Sequence, residues 1–196
     1  MNKRTFVAAL LAGAALPAAA AQVGNRPRSS TSGPGLLTIT GAIGKTNRGP
    51  FDPAADILMA KHKLEFTRAF AIDWAMLAKL HARTIEPTLE YDNKPHKLSG
   101  PLLLEVLELA RVGAPESAML ALRAIDGYAP TISIAEARKL GFIVATHRDG
   151  APLHVGGLGP LWAVYDADRN AEAAAKPVAE RFAKCPWGLY HIEVRA

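Results

Sequence analysis

The sequence predicts a single compact α+β domain with a mixed sheet over residues 36–196. Short runs of β-branched and aromatic residues, bounded by glycine, proline or aspartate, indicate strands. Segments with apolar residues at helical spacing lie between some of these runs, but the two kinds of element do not alternate regularly. The chain shows no internal repeat, and its 196 residues suffice for one domain with a substantial core but not for two.

The first elements of the domain are expected close to its start. The run LLTITGAI predicts a strand over residues 36–43, which glycines close. The segment at residues 54–70 is ambiguous in pattern and allows a helical turn at residues 57–61. Asp73 precedes a segment in which Trp74, Leu77 and Leu80 repeat at helical spacing, so its carboxylate is expected to cap a helix by accepting from amides of the first turn.

A second helix is predicted after an extended segment at residues 83–93. Ser99 is placed to cap this helix, Pro101 suits its first turn, and Gly113 is expected to end it. Leucines, a valine and an alanine between these points form one apolar face. The rest of the domain is predicted to contain strands at 117–125, 128–134, 142–147, 159–165 and 188–194, a helix at 135–141, and a helix at 170–184 that Pro177 interrupts.

The N-terminal residues are predicted to be an export signal and a tether rather than part of the domain. Lys3 and Arg4 precede a short apolar run, and small residues near Ala20 and Ala21 offer cleavage sites, so residues 1–21 read as a signal peptide. Residues 22–35 are rich in Gly, Pro and Ser and are expected to form a flexible linker. The predicted location is therefore the periplasm.

Charge and cysteine content exclude several classes of function. Loss of the signal lowers the formal net charge from +5 to +3, because Lys3 and Arg4 leave with it. The remaining basic residues are scattered, so nucleic-acid binding has little support. The single cysteine, Cys185, excludes an internal disulfide and any zinc site that needs several thiolates. No stretch after the signal is apolar enough to span a membrane, so we expect a protein that is not membrane-embedded.

Familiar catalytic spacings are absent from the sequence, but three stretches are typical of a pocket wall. These stretches are Asp126-Gly127-Tyr128, then His147-Arg148-Asp149-Gly150, then three glycines ahead of Trp162. A planar heterocycle with amide-like edges would suit aromatic faces, an arginine, a carboxylate and bare backbone. The alternative is structural: the aspartates only form turns and Trp162 only fills the core.

The same stretches, in the same order, resemble the oxidoreductase molybdopterin-binding domain, the fold of sulfite oxidase. The resemblance covers nearly all of the chain from Leu36 onward. A final pattern, formed by Trp187, Leu189, Ile192 and Val194, is similar to the short exported branch of that family. The quoted segments that carry the resemblance are LTITGAI, LSGPLLLEVLELARVGA, ALRAIDGYAPTISIAEA, FIVATHRDGAPL, GPLWAVY and CPWGLYHIEV.

Two departures from the family pattern change what the resemblance implies. The enzymes hold molybdenum through a cysteine after the first helix of the domain, but residues 81–91 contain none. Cys185 lies beyond all the pocket motifs in sequence, and we expect it to stay outside a cofactor site. The enzymes also place a phosphate-binding arginine after the glycine-proline motif, where this chain has Trp162. A soft thiolate ligand and an anion contact are therefore both missing from the expected positions.

The resemblance and its departures together imply an exported pterin-binding protein without metal chemistry. Such a protein would act on a membrane signalling partner, such as a cyclic-di-GMP enzyme with a periplasmic domain. One alternative is a periplasmic oxidoreductase that keeps molybdopterin without a thiolate ligand; another is a structural or interaction module with a vestigial pocket. No catalytic or metal-binding residue is assigned. The predicted ligand contacts are stacking by Tyr128, Trp162 and Trp187, donation by Arg83, Arg148 and His147, and acceptance by Asp149 or Glu86.

Overall fold

The structure is a computed structural model that describes residues 31–196. The predicted signal peptide and most of the predicted linker lie outside the described residues. The fold class is α+β, as predicted. Within the described part the strands are β1 Gly35–Gly41, β2 Ala69–Asp73, β3 Ala82–Ile85, β4 Leu98–Pro101, β5 Met119–Ala124, β6 Thr131–Ser133, β7 Ile143–Ala145, β8 His147–Arg148, β9 Ala151–Pro152, β10 Trp162–Val164 and β11 Leu189–Arg195. The helices are α1 Ile57–Lys61, α2 Trp74–Leu77, α3 Leu103–Leu109, α4 Ile134–Leu140 and α5 Ala171–Ala174, and Val178–Glu180 forms a 3-10 turn.

A five-stranded mixed sheet in the order β2-β1-β11-β5-β6 joins the two ends of the domain. Strand β11 pairs with β1 in parallel and with β5 antiparallel, so the last strand of the chain lies in the middle of the sheet. The two faces of this sheet differ in chemistry because side chains alternate along each strand. One face carries the buried core side chains Leu37, Ile39, Leu120, Leu122, Ile192 and Val194.

The other face of the five-stranded sheet is polar and is covered by residues 44–68. Its side chains include Thr38, Thr40 and His191, which are buried although polar. Asn47 ties the covering segment to β2, because its side-chain amide donates to Ala71 O at 2.7 Å and accepts from Ala71 N at 2.6 Å. This face is therefore enclosed without becoming apolar.

A four-stranded sheet, β3-β4-β8-β9, and a two-stranded sheet, β10-β7, complete the domain. Strand β4 approaches β7 closely at Gly100, where an added Cβ would lie 1.9 Å from Val144 O. Any other residue would therefore push the two strands apart. No helix within residues 31–196 is both long enough and apolar enough to span a membrane.

Local sequence patterns predicted most elements correctly. The main correction concerns the start of the helix that was predicted to begin at Ser99. Asp73 caps α2 as predicted, because its side chain accepts from Met76 N at 2.9 Å. The predicted start at Ser99 was wrong: residues 98–101 form β4, held between β3 and β8, and α3 begins only at Leu103. That helix ends at Leu109, ahead of Gly113, and Arg111 takes the left-handed conformation with φ of 51°.

Candidate functional site

The candidate site is a small cavity at the end of the five-stranded sheet where β5 leaves and β11 enters. Its volume is about 200 Å³. We call it the aromatic cavity, because two partly exposed aromatic side chains, Tyr128 and Trp187, share its wall. The complete lining is Glu90, Ala124, Asp126, Tyr128, Ala179, Phe182, Ala183, Cys185, Pro186 and Trp187.

The turn after β5 positions Tyr128. Gly127 occupies the turn with φ of +93°, a conformation that L side chains rarely adopt. Asp126 accepts from Tyr128 N at 2.9 Å, and Ala124 N donates to Tyr128 O at 2.8 Å. The phenol then donates to Ala183 O across the cavity. The ring is thereby fixed at both ends while 49% of the residue stays exposed.

The residues just before β11 position Trp187. Gly188 donates its N–H to Leu158 O at 3.1 Å, and its carbonyl accepts from Ile125 N at 3.0 Å. These bonds place Trp187 beside the same turn that carries Tyr128. Trp187 is 41% exposed, so one part of its indole is available to a ligand.

Cys185 lies in the lining of the aromatic cavity, although it stands beyond all the pocket motifs in sequence. The segment from the 3-10 turn to β11 folds back against the end of β5, and this long-range packing was not visible in the sequence. Cys185 is only 4% exposed, and burial raises the pKa of its thiol. Its carbonyl accepts from Trp162 Nε1 at 2.9 Å. The sulfur is therefore held as a neutral thiol at neutral pH.

Glu90 supplies a carboxylate to the cavity that the sequence interpretation missed. It stands in the loop between β3 and β4, where Asp92 and Glu86 also occur, and nothing local distinguishes the three. The phenol of Tyr91 lies beside it: burial, and then the negative charge of Glu90, raise the pKa of Tyr91 to about 12. Glu90 is thus an acceptor next to the two aromatic walls, and its side chain already interacts with the Tyr91 phenol.

The predicted donors and acceptors of the HRDG stretch form a separate group, the His96 cluster, which consists of Asp92, His96, Arg148 and Asp149. His96 Nδ1 lies 2.6 Å from Asp149 Oδ2, and His96 Nε2 lies 2.9 Å from Asp92 Oδ2. Arg148 Nη2 is 3.3 Å from Asp92 Oδ2, and Lys97 N donates to Asp149 Oδ1 at 2.9 Å. The hydrogen bonds from His96 are the main cause that lowers the pKa of both aspartates. These groups are engaged with one another.

The remaining predicted contacts do not line the aromatic cavity. Trp162 is only 1% exposed and packs against Phe182, so it leaves no face for a ligand. His147 hydrogen-bonds to Thr146 Oγ1 at 2.9 Å. Arg83 is exposed on β3, and Glu86 is exposed in the loop that follows. Of the predicted residues, the structure brings Tyr128 and Trp187 into the lining of the cavity, places Trp162 in the core directly behind Trp187, and leaves the others elsewhere.

Comparison with known proteins shows a distant relationship of fold. No family model matches the chain, and no curated protein matches it. Among solved structures, the chain is similar to the sulfane dehydrogenase SoxCD from Paracoccus pantotrophus, with a TM-score of 0.52 and 12% sequence identity. The match covers 81% of this chain and 37% of that chain. This likeness supports the predicted fold class and, at such low identity, shows the fold alone.

The donor set of the cavity fits a flat heterocycle better than a metal centre. Two aromatic faces and a carboxylate suit a ring with amino and amide edges. A molybdenum ion would need a thiolate ligand, and the one cysteine in the lining, Cys185, is only 4% exposed. Among the described residues, no three or more His, Cys, Asp or Glu side chains are grouped so that they could hold a metal ion.

Proposed function

We propose that the protein is an exported pterin-binding protein that recognises its ligand in the aromatic cavity without metal chemistry. The observation that supports this proposal most is the convergence of Tyr128, Trp187 and Glu90 on one small cavity. The first two offer π-faces for stacking, and the third offers a charged acceptor. Sequence resemblance to the molybdopterin-binding domain supplies the chemical class of the ligand.

The carboxylate gives the proposed site its specificity. A carboxylate can accept two parallel hydrogen bonds from an aminopyrimidine edge, as it does from a guanidinium. Glu90 takes the role that the sequence interpretation gave to Asp149 or Glu86. Asp149 is already bonded to His96 and to Lys97 N, and Glu86 does not line the cavity.

The volume of the cavity limits the ligand to a compact ring system. Pockets for drug-sized ligands usually measure about 300–1,000 Å³, and the aromatic cavity measures about 200 Å³. A pterin ring can lie against Tyr128 and Trp187, while any long substituent would project into solvent. The proposed ligand is therefore a simple reduced or oxidised pterin rather than a cofactor enclosed along its whole length.

The proposed cellular role follows from the sequence features of the N-terminal residues. The signal peptide at 1–21 and the linker at 22–35 would place the domain in the periplasm, free to reach the periplasmic domain of a membrane signalling protein. A ligand held at an open cavity would change the surface that such a partner meets. In this proposal, the occupied and the empty protein bind the partner differently.

Titration of the purified exported protein with 7,8-dihydropterin tests the ligand proposal. We expect saturable heat in calorimetry and quenching of tryptophan fluorescence. The quenching should disappear in Trp187→Phe and persist in Trp74→Phe, because Trp74 is exposed to a similar extent, 48%, but does not line the cavity. Absence of heat and of a fluorescence change up to millimolar ligand would contradict the proposal.

One observation favours a second function, that of an oxidoreductase. Cys185 lines the same cavity as Tyr128 and Trp187, so the single cysteine of the chain lies next to the proposed ligand site. Metal analysis of protein produced in a molybdenum-competent host distinguishes the two functions. Stoichiometric molybdenum that is lost in Cys185→Ser would establish the enzyme. A structural module would bind neither molybdenum nor a pterin.

A further inference from the structure

A second cavity lies on the polar face of the five-stranded sheet, beneath the covering segment. We call it the outer-sheet cavity; its volume is about 280 Å³. It shares no residue with the aromatic cavity, and the inference drawn from it is independent of pterin binding. Its lining is Thr40, His62, Lys63, Leu64, Glu65, Phe66, Arg123, His191, Glu193 and Arg195.

Two buried nitrogen atoms in this lining have no hydrogen-bond partner among the described residues. They are Arg123 Nε and His191 Nδ1. The two residues are directly opposed on β5 and β11, so their side chains rise from the same face of the sheet. His191 is only 1% exposed. Because burying a polar group without a partner is costly, such atoms in a folded protein call for a bound water or ion.

The free nitrogen of His191 is a donor in the tautomer in which Thr40 Oγ1 donates to Nε2. His191 Nε2 lies 2.8 Å from Thr40 Oγ1, a hydroxyl that can donate to it. Burial, and then the charge of Arg123, lower the pKa of His191 to about 4, so the ring is neutral at neutral pH. A neutral imidazole that accepts at Nε2 carries its hydrogen on Nδ1. His191 and Arg123 then present two N–H groups side by side.

The charges around the cavity favour an anion over a cation. Arg195 Nη2 donates to Glu193 Oε2 at 2.6 Å, so the carboxylate of Glu193 is engaged by its neighbour on the same strand. Glu65 and Lys63 stand on the covering segment with opposite charges and are both exposed. His62 is tied to Tyr190 through Nδ1 at 2.7 Å. Arg123 remains as the cation on the floor of the cavity.

We propose that the outer-sheet cavity binds a small tetrahedral oxyanion of the phosphate or sulfate class between Arg123 and His191. The guanidinium supplies charge and a planar fork of donors, which suits oxyanions. His191 supplies a neutral donor in a place that water reaches poorly. Arg123 is only partly buried, so an ion can enter from solvent.

Phosphorus NMR of the exported protein tests this site. Inorganic phosphate is added at constant ionic strength, with chloride as the balancing anion. We expect saturable line broadening with one site per chain, and a shift of the His191 ring nitrogen resonances over the same range. Arg123→Met keeps the length of the apolar stem and should weaken phosphate binding at least tenfold. Arg138→Met is the control, because Arg138 is exposed and pairs with Glu116 elsewhere, and it should bind as the wild type does.

Two outcomes would overturn the proposal. One is the absence of saturable broadening and of a His191 shift in the wild-type protein at millimolar phosphate. The other is equal affinity in Arg123→Met and the wild type, with circular dichroism confirming that the variant is folded. Competition by sulfate then identifies which anions of this class the site accepts. Displacement of phosphate by sulfate indicates a general oxyanion site, and no displacement indicates a site selective for phosphate.

Discussion

The aromatic cavity and the His96 cluster contain similar types of side chain but use them differently. In the His96 cluster, Asp92, His96 and Asp149 are joined by hydrogen bonds of 2.6 and 2.9 Å, and Arg148 completes the group. In the aromatic cavity, Tyr128 and Trp187 keep nearly half of their surfaces exposed beside Glu90. The first region is engaged internally, whereas the second leaves aromatic surface exposed to solvent.

This difference teaches how a dense polar motif should be interpreted. The HRDG stretch predicted ligand contacts because donors and a carboxylate stand together in sequence. The structure shows that the same proximity, completed by Asp92 and His96 from another loop, lets the groups satisfy one another. An interaction site needs exposed surface, and the exposed aromatic surface of Tyr128 and Trp187 comes from separate parts of the chain.

The largest expected effect is a difference in stability between variants of Trp162 and Trp187, which were both predicted to stack on a ligand. Trp162→Ala should lower the free energy of unfolding by about 3–5 kcal/mol, because it empties a core position and removes the donor to Cys185 O. Trp187→Ala should cost about 1 kcal/mol or less, since much of its surface is already in water. Urea denaturation measures both. Equal losses of unfolding free energy in the two variants would contradict the assignment of Trp162 to the core and of Trp187 to the surface.

The next effect compares the buried His191 with the aspartates of the His96 cluster. The pKa of His191 is about 4 in the folded protein and near 6.5 when unfolded, so the unfolded chain binds more protons between these values. Stability should therefore fall by roughly 3 kcal/mol as the pH drops from 6.5 to 4, in buffer without phosphate or sulfate. Asp92 and Asp149 have lowered pKa values, so their contribution is lost only as the pH falls below their unfolded value, about 3.9.

The control for this acid titration is His191→Gln. This variant should keep the loss of stability at the lowest pH, which comes from the aspartates, and lose the slope between pH 6.5 and 4. A wild-type slope retained by His191→Gln would show that another group titrates in that window.

A smaller effect is expected on ligand affinity when one carboxylate is neutralised. Glu90→Gln should weaken 7,8-dihydropterin binding about tenfold, because the amide can accept only one of the two parallel hydrogen bonds. Glu86→Gln is the matched control on the same loop, outside the cavity, and should change affinity less than twofold. Calorimetry measures both. A larger loss of affinity in Glu86→Gln than in Glu90→Gln would contradict a ligand site in the aromatic cavity.

The smallest effect is expected in the His96 cluster. Asp149→Asn should leave the midpoint of urea denaturation nearly unchanged, because the pair with His96 is partly exposed and such pairs are weak. Pterin affinity should stay within twofold of the wild type. If Asp149→Asn lowered pterin affinity more than Glu90→Gln does, the ligand site would lie at the His96 cluster rather than in the aromatic cavity.

The sequence predicted the fold class and most elements because those depend on local patterns. The run at residues 36–43, the Asp73 cap and the turn that carries Tyr128 are all determined by residues close in sequence. The start of the second helix was predicted wrongly at Ser99, because cross-strand pairing of β4 overrides a favourable capping pattern.

The site was predicted only in part, since its remaining walls come from long-range packing. Glu90 lies in a loop with other acidic residues, and nothing near it in sequence marks it. Cys185 reaches the cavity because the segment before β11 folds back against β5. Trp162 was predicted as a ligand wall, but its strand is buried on both sides and its ring belongs to the core.

Native mass spectrometry of the exported protein, purified from a molybdenum-competent host, tests the central claim most directly. We expect an added mass equal to one pterin per chain, without molybdenum, that is lost in Trp187→Ala and retained in Trp74→Ala. Stoichiometric molybdenum, or a pterin that remains bound in Trp187→Ala, would contradict a metal-free ligand held in the aromatic cavity.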